Sequence, residues 1–256
     1  MKWPASLMLV RHDTSAYNVL RDAKKNDDTY AEFLASWEKD PDAEDTCRLA
    51  REVQKKFALG VGDSDTPLAD AEGRQARVTG EGLAAEFEPP DAIYVSPYVR
   101  TLETLRHITK GWPALEGIKV YKDERIREQE HGLALLYNDW RVFHALHPEQ
   151  RMLRKIEGAY WYRFPQGENV PDVRLRNRSW IETLIRDWRG QRVLAITHHL
   201  NILAARATLE RLDAEEFLRL DKEETPINCG VTLYKGHPDQ GKDGRLLLEF
   251  YNRKYY

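Results

Sequence analysis

Leu7-Met8-Leu9-Val10-Arg11-His12-Asp13-Thr14-Ser15 is the stretch that decides the reading of this chain. Four consecutive apolar residues read as a strand covered on both faces. A cation and an imidazole follow at once. The pattern recurs further on. Ala92-Ile93-Tyr94-Val95 runs into Ser96-Pro97-Tyr98-Val99-Arg100, and Val193-Leu194-Ala195-Ile196 runs into Thr197-His198-His199. A weaker run, Ile118-Lys119-Val120-Tyr121, is followed by Arg125-Ile126-Arg127-Glu128. Helical patterns alternate with these runs. Val173, Trp180, Ile181, Leu184, Ile185 and Trp188 share one helical face ahead of Gly190, and Leu200, Leu203, Ala204 and Ala207 follow i, i+3, i+4, i+7. The alternation predicts an α/β fold: a doubly wound, mostly parallel sheet with helices on both faces. Val231-Thr232-Leu233-Tyr234 and Leu246-Leu247-Leu248-Glu249-Phe250, parted by the stretch Gly236 to Gly244, predict an antiparallel edge hairpin.

Outside those runs lie two segments, about 20–62 and 133–170. The first is charged and helical, with Ala43, Cys47, Ala50, Val53 and Phe57 on one stripe. The second is rich in aromatic residues, among them Tyr137, Trp140, Phe143, Tyr160, Trp161, Tyr162 and Phe164. Neither carries enough apolar residues for a core of its own, so residues 1–256 read as a single domain with two helical insertions. The insertions flank the expected mouth of the site. They read either as substrate-selecting lids or as aromatic packing on the core.

Composition narrows the function. With 39 Lys+Arg against 42 Asp+Glu among 256 residues, the net charge of −3 argues against a protein that coats duplex nucleic acid. No apolar run approaches the ~20 residues of a membrane helix, and Met1 to Val10 lacks the pattern of a secretory leader. Two cysteines, Cys47 and Cys229, exclude a disulfide framework and a thiolate zinc cluster. The expectation is a cytoplasmic protein with no nucleic-acid partner and no membrane. Its oligomeric state is left open.

Ligands of open α/β sheets bind beyond the carboxyl ends of strands. Strand ends here deliver Arg11, His12, Arg100, Glu128, His198 and His199. Ser96 reads as a helix N-cap and Pro97 as the first helical residue, which places Arg100 in the first turn. A cation there opposes the helix dipole, at a cost of ~0.3–1 kcal/mol. A bound anion removes the conflict, since helix N-termini and guanidinium forks both suit phosphate. Each feature alone is commonplace edge chemistry; together they point to a phosphate pocket. A zinc site on His198 and His199 is discounted, because adjacent histidines rarely face one point.

These residues resemble the motifs of the histidine phosphatase superfamily, with its phosphoglycerate-mutase-like fold. Arg11-His12-Asp13 is similar to the family's Arg-His-Gly, and Ser96 to Thr104 to its Ser-Pro-x-x-Arg-Thr-x-Glu-Thr. Ile126 to Gly132 is similar to Leu-Arg-Glu-x-x-x-Gly, Pro165 to Asn169 to Pro-Gly-Gly-Glu-Ser, and Thr197-His198-His199 to Thr-His-Gly. The resemblance runs from about residue 7 to residue 234 and favours the phosphatase branch. It implies a phosphomonoester hydrolase that works with no metal and no cofactor through a phosphohistidine on His12. Arg11, Arg100 and His198 would clamp the phosphate of a small phosphorylated substrate, with Asn18 as a further donor. Glu128 would be general acid and then base, with Glu103 a structural helix residue or, as the alternative, the acid. The alternatives are a phosphoglycerate mutase or a degenerate phosphate-binding regulatory protein. The mutase branch's Gly-Gly-Leu-x-Gly-x-Asn-Lys continuation is here Gly132-Leu133-Ala134-Leu135-Leu136-Tyr137-Asn138, without the Lys. Asp13 and His199 stand where the family has Gly. Turned outward, Asp13 would be free to cap the helix that follows it.

Overall fold

The computed structural model describes residues 2–256. They divide into two compact units: one holds the chain up to Ser15, Ser64–Glu128 and Asp172–Tyr256, the other Ala16–Asp63 and Gln129–Pro171.

The first unit is built on a six-stranded sheet in the order β3-β2-β4-β1-β5-β6. Its strands are β1 (Ser6–Arg11), β2 (Ala92–Val95), β3 (Val120–Lys122), β4 (Arg192–Thr197), β5 (Val231–His237) and β6 (Arg245–Arg253). β1 pairs with β4, β4 with β2 and β2 with β3, all parallel. β5 pairs antiparallel with β1, and β6 closes the edge antiparallel to β5. All the expected strands form, and the last two make the edge hairpin. β4 comes late in the chain yet lies between β1 and β2, in a register that sets Arg11 opposite Thr197 and Val95 opposite Ile196.

Alternation along each strand splits the core between the two faces. Met8, Val10, Ile93, Val95, Leu194 and Ile196 pack with residues of α4 (Arg74–Glu86) and α5 (Val99–Gly111). Gly80 lies against the Ile108 carbonyl and Gly111 against that of Arg77, so a Cβ at either would hold these two helices apart. Leu7, Leu9, Tyr94, Val193 and Ala195 pack on the opposite face with residues of α8 (Val170–Asp187) and α9 (His199–Glu210). There Trp180 is fully buried against Tyr94, and the Trp188 indole N–H donates to the Tyr94 hydroxyl at 2.9 Å. After α9, α10 (Ala214–Glu223) is capped by Asp213, which accepts from the Glu216 N–H.

The second unit is helical. It contains α1 (Ala16–Lys25), α2 (Asp28–Lys39), α3 (Glu44–Lys56), α6 (Trp140–Leu146) and α7 (Pro148–Glu157). Taken singly, the two sequence segments lack a core; pooled, they have one. Phe33, Leu49, Val53 and Phe57 of the first join Val142 and Ala145 of the second. Phe143, Tyr162 and Phe164 form an aromatic cluster beside them. Most of the aromatic stretch is therefore spent on packing, while Trp140 and Trp161 remain exposed. No helix among the described residues is long and apolar enough to cross a membrane.

Candidate active site

Three adjacent parallel strands end side by side, and the residues just beyond them meet. The His12 N–H donates to the Thr197 carbonyl at 2.9 Å, and the Ser96 N–H donates to the Ile196 carbonyl at 3.1 Å. These bonds carry the sheet ladder one residue past the strands. His12 and His198 then stand with ring centroids 5.2 Å apart. Both are buried, as are Arg11 and Arg100.

His12 is oriented by its own backbone. Its Nδ1 lies 2.7 Å from the Asp13 carbonyl oxygen. A carbonyl can only accept, so Nδ1 carries the proton and Nε2 the lone pair. Burial lowers the His12 pKa well below the ordinary value, and the Arg100 and Arg11 guanidiniums lower it further. The ring is neutral at physiological pH. His198 is lowered in the same way, by burial and then by Arg100 and His12. Its Nε2 is 2.8 Å from the Ser96 hydroxyl, and its Nδ1 has no hydrogen-bond partner among the described residues.

α5 starts two residues later than the sequence suggested. Its N-cap is Tyr98, with no side-chain cap hydrogen bond. The physical reason is that the Ser96 hydroxyl is taken by the His198 ring. Arg100 is still in the first turn, stacked 4.8 Å over the Tyr98 ring, whose edge meets His198. Arg11 donates to the Pro226 carbonyl at 2.5 Å. Cys229, at φ 52°, donates its N–H to the Arg11 carbonyl at 3.0 Å. Asn228 donates to the His12 carbonyl at 2.9 Å.

Glu128 is held at both ends. Its Oε1 accepts from the Leu200 N–H, at the start of α9, at 3.2 Å. The Arg176 guanidinium donates to the carbonyls of Arg125, Arg127 and Glu128 at 2.8, 2.8 and 2.9 Å. Thr197 Oγ1 donates to the Ile126 carbonyl, and Asn201 to that of Arg125. The sequence alone does not mark Arg176, Asn201, Asn228 or Ser96 as supports of the site. Arg176 sits in an ordinary helical pattern, and only the approach of α8 to the 125–128 segment reveals its role. The Asn228-Cys229-Gly230 turn before β5 was the one available sequence signal.

Asp13 does not cap the helix that follows it. Its carboxylate accepts from the Thr14 N–H at 2.6 Å and from the Ala76 N–H at 3.0 Å, in the first turn of α4. The cap position of α4, Gly73, has no side chain to accept the Ala76 N–H, and the Asp13 carboxylate takes it instead. Glu103 accepts from the Leu68 N–H at 2.9 Å and so pins a loop. His199 leaves the pocket and sets its Nε2 2.7 Å from Asp221 on α10. His198 and His199 thus face different partners. Asn18 is buried on α1 in the second unit and is not supplied by the unit that gathers the other site residues.

The buried histidines set a pH dependence. Burial also pushes His144, in the second unit, down to about 4, with Arg154 and Arg151 adding to the effect. An unfolded histidine takes up its proton near pH 6.5, whereas these native rings stay neutral. The unfolded state therefore binds more protons below pH 6.5. The melting temperature of the ligand-free protein is expected to fall steadily from pH 7 to pH 5, and a flat profile would contradict these environments.

The family model for the histidine phosphatase superfamily (branch 1) matches residues 47–242. Arg11 and His12 precede that span and join the other residues through β1. The phosphoglycerate mutase-like protein AT74H of Arabidopsis thaliana is 32% identical over 184 residues, which are 72% of this chain and 54% of that protein. The chain thus spans about half the length of this relative. Phosphoserine phosphatase 1 of Hydrogenobacter thermophilus is 26% identical over 155 residues, 60% of this chain and 69% of that one. A mycobacterial glucosyl-3-phosphoglycerate phosphatase, solved with inorganic phosphate, has a TM-score of 0.64 at 20% identity over 98% of both chains, a likeness of fold. With the sheet order, the paired strand ends and the matched span in agreement, this chain belongs to the histidine phosphatase superfamily, branch 1.

Proposed function

We propose that the protein is a phosphomonoester hydrolase that works through a phosphohistidine on His12. The observation that carries this is the His12 ring itself. It is neutral, its proton is tied to the Asp13 carbonyl, and its Nε2 lone pair is free to attack. The substrate phosphate would lie between Arg11, Arg100 and His198. Their charge and donors would stabilise the equatorial oxygens, and this positioning is most of what phosphoryl transfer requires. His198 Nδ1–H would donate to the phosphate while the Ser96 hydroxyl donates to Nε2.

In the first step His12 Nε2 bonds to phosphorus and the ester P–O bond breaks. Glu128 gives its proton to the departing oxygen. In the second step water attacks the phosphohistidine, Glu128 takes the water's proton, the P–N bond breaks, and phosphate leaves. Two guanidiniums supply the cationic charge that a metal ion provides in other phosphatases, so the reaction is proposed to be metal-independent. Asn18 is proposed as an additional phosphate donor on the strength of the motif resemblance alone. A small phosphorylated partner and a cytoplasmic placement complete the proposal.

The phosphoglycerate mutase-like relative favours a second reading, in which the phosphohistidine passes its phosphoryl group to another hydroxyl. Turnover of an aryl phosphate in the presence of chelator tests the first reading, with release of inorganic phosphate as the signal. Chelator-resistant release supports it. Transfer of the phosphoryl group to an added hydroxy acid without release of inorganic phosphate would favour the mutase reading, and a requirement for metal would remove metal independence.

Arg176 is expected to act through Glu128. Replacing it with alanine frees the three carbonyls it now gathers. Since a small misplacement of a reacting group costs up to about 100-fold, kcat should fall about 10- to 100-fold. Stopped-flow kinetics should then show both phosphorylation and dephosphorylation slowed; a changed KM with unchanged kcat would count against this role.

A further inference from the structure

Asp13 occupies a position where the family motif carries glycine, and it is buried directly after the proposed nucleophile. Its carboxylate holds the Thr14 N–H and the Ala76 N–H. Its own N–H donates at 2.9 Å to Thr104 Oγ1, and that hydroxyl donates at 2.6 Å to the Arg100 carbonyl. The residue is thereby tied to α4 and α5 as well as to β1.

The decisive feature is the peptide plane between Asp13 and Thr14. In a trans peptide the carbonyl and the following N–H point in opposite directions, and this chain has no cis bonds among the described residues. The carboxylate fixes the Thr14 N–H, so it also fixes the direction of the Asp13 carbonyl. That carbonyl is the acceptor for His12 Nδ1–H. We infer that Asp13 is a positioning residue for His12: its carboxylate locks the Asp13–Thr14 peptide plane, which keeps the imidazole proton on Nδ1 and the lone pair on Nε2. The inference rests on the reading of His12 as nucleophile, and it assigns to Asp13 a function that glycine lacks the atoms to perform. The two carboxylate oxygens are committed to the Thr14 and Ala76 N–H groups.

Ring-labelled protein gives the test. Carbon and nitrogen shifts of the His12 imidazole report its tautomer without any turnover. The wild type should show the Nδ1–H form. Asp13→Ala should raise the Nε2–H share about tenfold, the order expected for loss of one oriented hydrogen bond. It should lower kcat on an aryl phosphate by a similar factor and leave KM within about twofold. Asp13→Asn, which keeps one acceptor oxygen, should recover most of both. Should the alanine variant fail to fold, Asp13→Gly, which removes the same carboxylate, should show the same tautomer shift. A merely structural cap would lower the melting temperature and leave the tautomer and kcat at wild-type values; that result overturns the inference. If the wild type shows no turnover, the nucleophile reading fails, while the ring shifts of the variants still decide the role of Asp13.

Discussion

His12→Ala should lose hydrolysis of an aryl phosphate by about 10³-fold or more, the loss typical of removing a nucleophile from a preorganised site. Inorganic phosphate should still bind, because Arg11, Arg100 and His198 are untouched by the change. The two measurements together separate chemistry from binding. Rapid quench of the wild type should trap a phosphoryl group on the protein. As a P–N bond, it should survive base and be lost in acid, and it should be missing from the variant. Burial and the two guanidiniums hold the His12 pKa well below 6.5, so protonation of this ring should not limit kcat/KM between pH 6 and pH 8. An acid limb with a midpoint near 6.5 that disappears in His198→Gln would place the titration on the wrong histidine. Unchanged turnover in His12→Ala would reject the proposed nucleophile outright.

The largest effect on stability is expected in the helical unit, at the pair of Lys24 and Asp139. The ammonium lies 3.0 Å from the carboxylate, and both side chains are buried. The network around them is complete. Lys24 also donates to the Asn138 carbonyl at 2.6 Å, the Tyr30 hydroxyl donates to Asp139 at 2.6 Å, and Asp139 caps α6 by accepting from the Arg141 N–H at 2.8 Å. Burial alone would raise the Asp139 pKa; Lys24 and Tyr30 outweigh it and hold the carboxyl below its usual range. Asp139→Ala leaves a buried ammonium with its charge uncompensated, which costs about 3–5 kcal/mol. The melting temperature should drop by about 10 °C or more. Replacing both partners, Lys24→Met with Asp139→Ala, should return a good part of that loss, because no charge is then stranded. Equal destabilisation of the single and double variants would mean that the α6 cap, not the ion pair, carries the energy. The sign of the pH effect follows from the lowered carboxyl. The pair's contribution is complete above the unfolded carboxyl pKa of about 4 and is lost as pH falls through the lower native value.

The lines of the fold were legible because strand and helix patterns are local properties of the chain. Leu7–Val10, Ala92–Val95 and Val193–Ile196 are apolar on both faces, and both faces of these strands are in fact covered. The 3.6-residue pattern of α8 and α9 likewise needs no partner to be read. Capping was less legible. Ser96-Pro97 has the form of a helix start, but a hydroxyl serves one purpose at a time, and the His198 ring claims it from a point 102 residues away. Asp13 likewise caps α4 across a separation of 63 residues, which no local rule anticipates.

The sequence by itself determined the chemistry on offer: which strands form, which cations and imidazoles follow them, and that their order matches one family. Those facts depend on neighbours in the chain. Tertiary structure decided what meets. β4 inserts between β1 and β2, and that alone sets His198 beside His12. It pooled two core-poor segments into one helical core, because apolar area counts by proximity in space rather than in sequence. It also chose Arg176 to gather the carbonyls around Glu128 and turned Asp13 toward α4. A hydrogen bond is made wherever burial leaves a donor facing an acceptor, and only the folded chain fixes which those are.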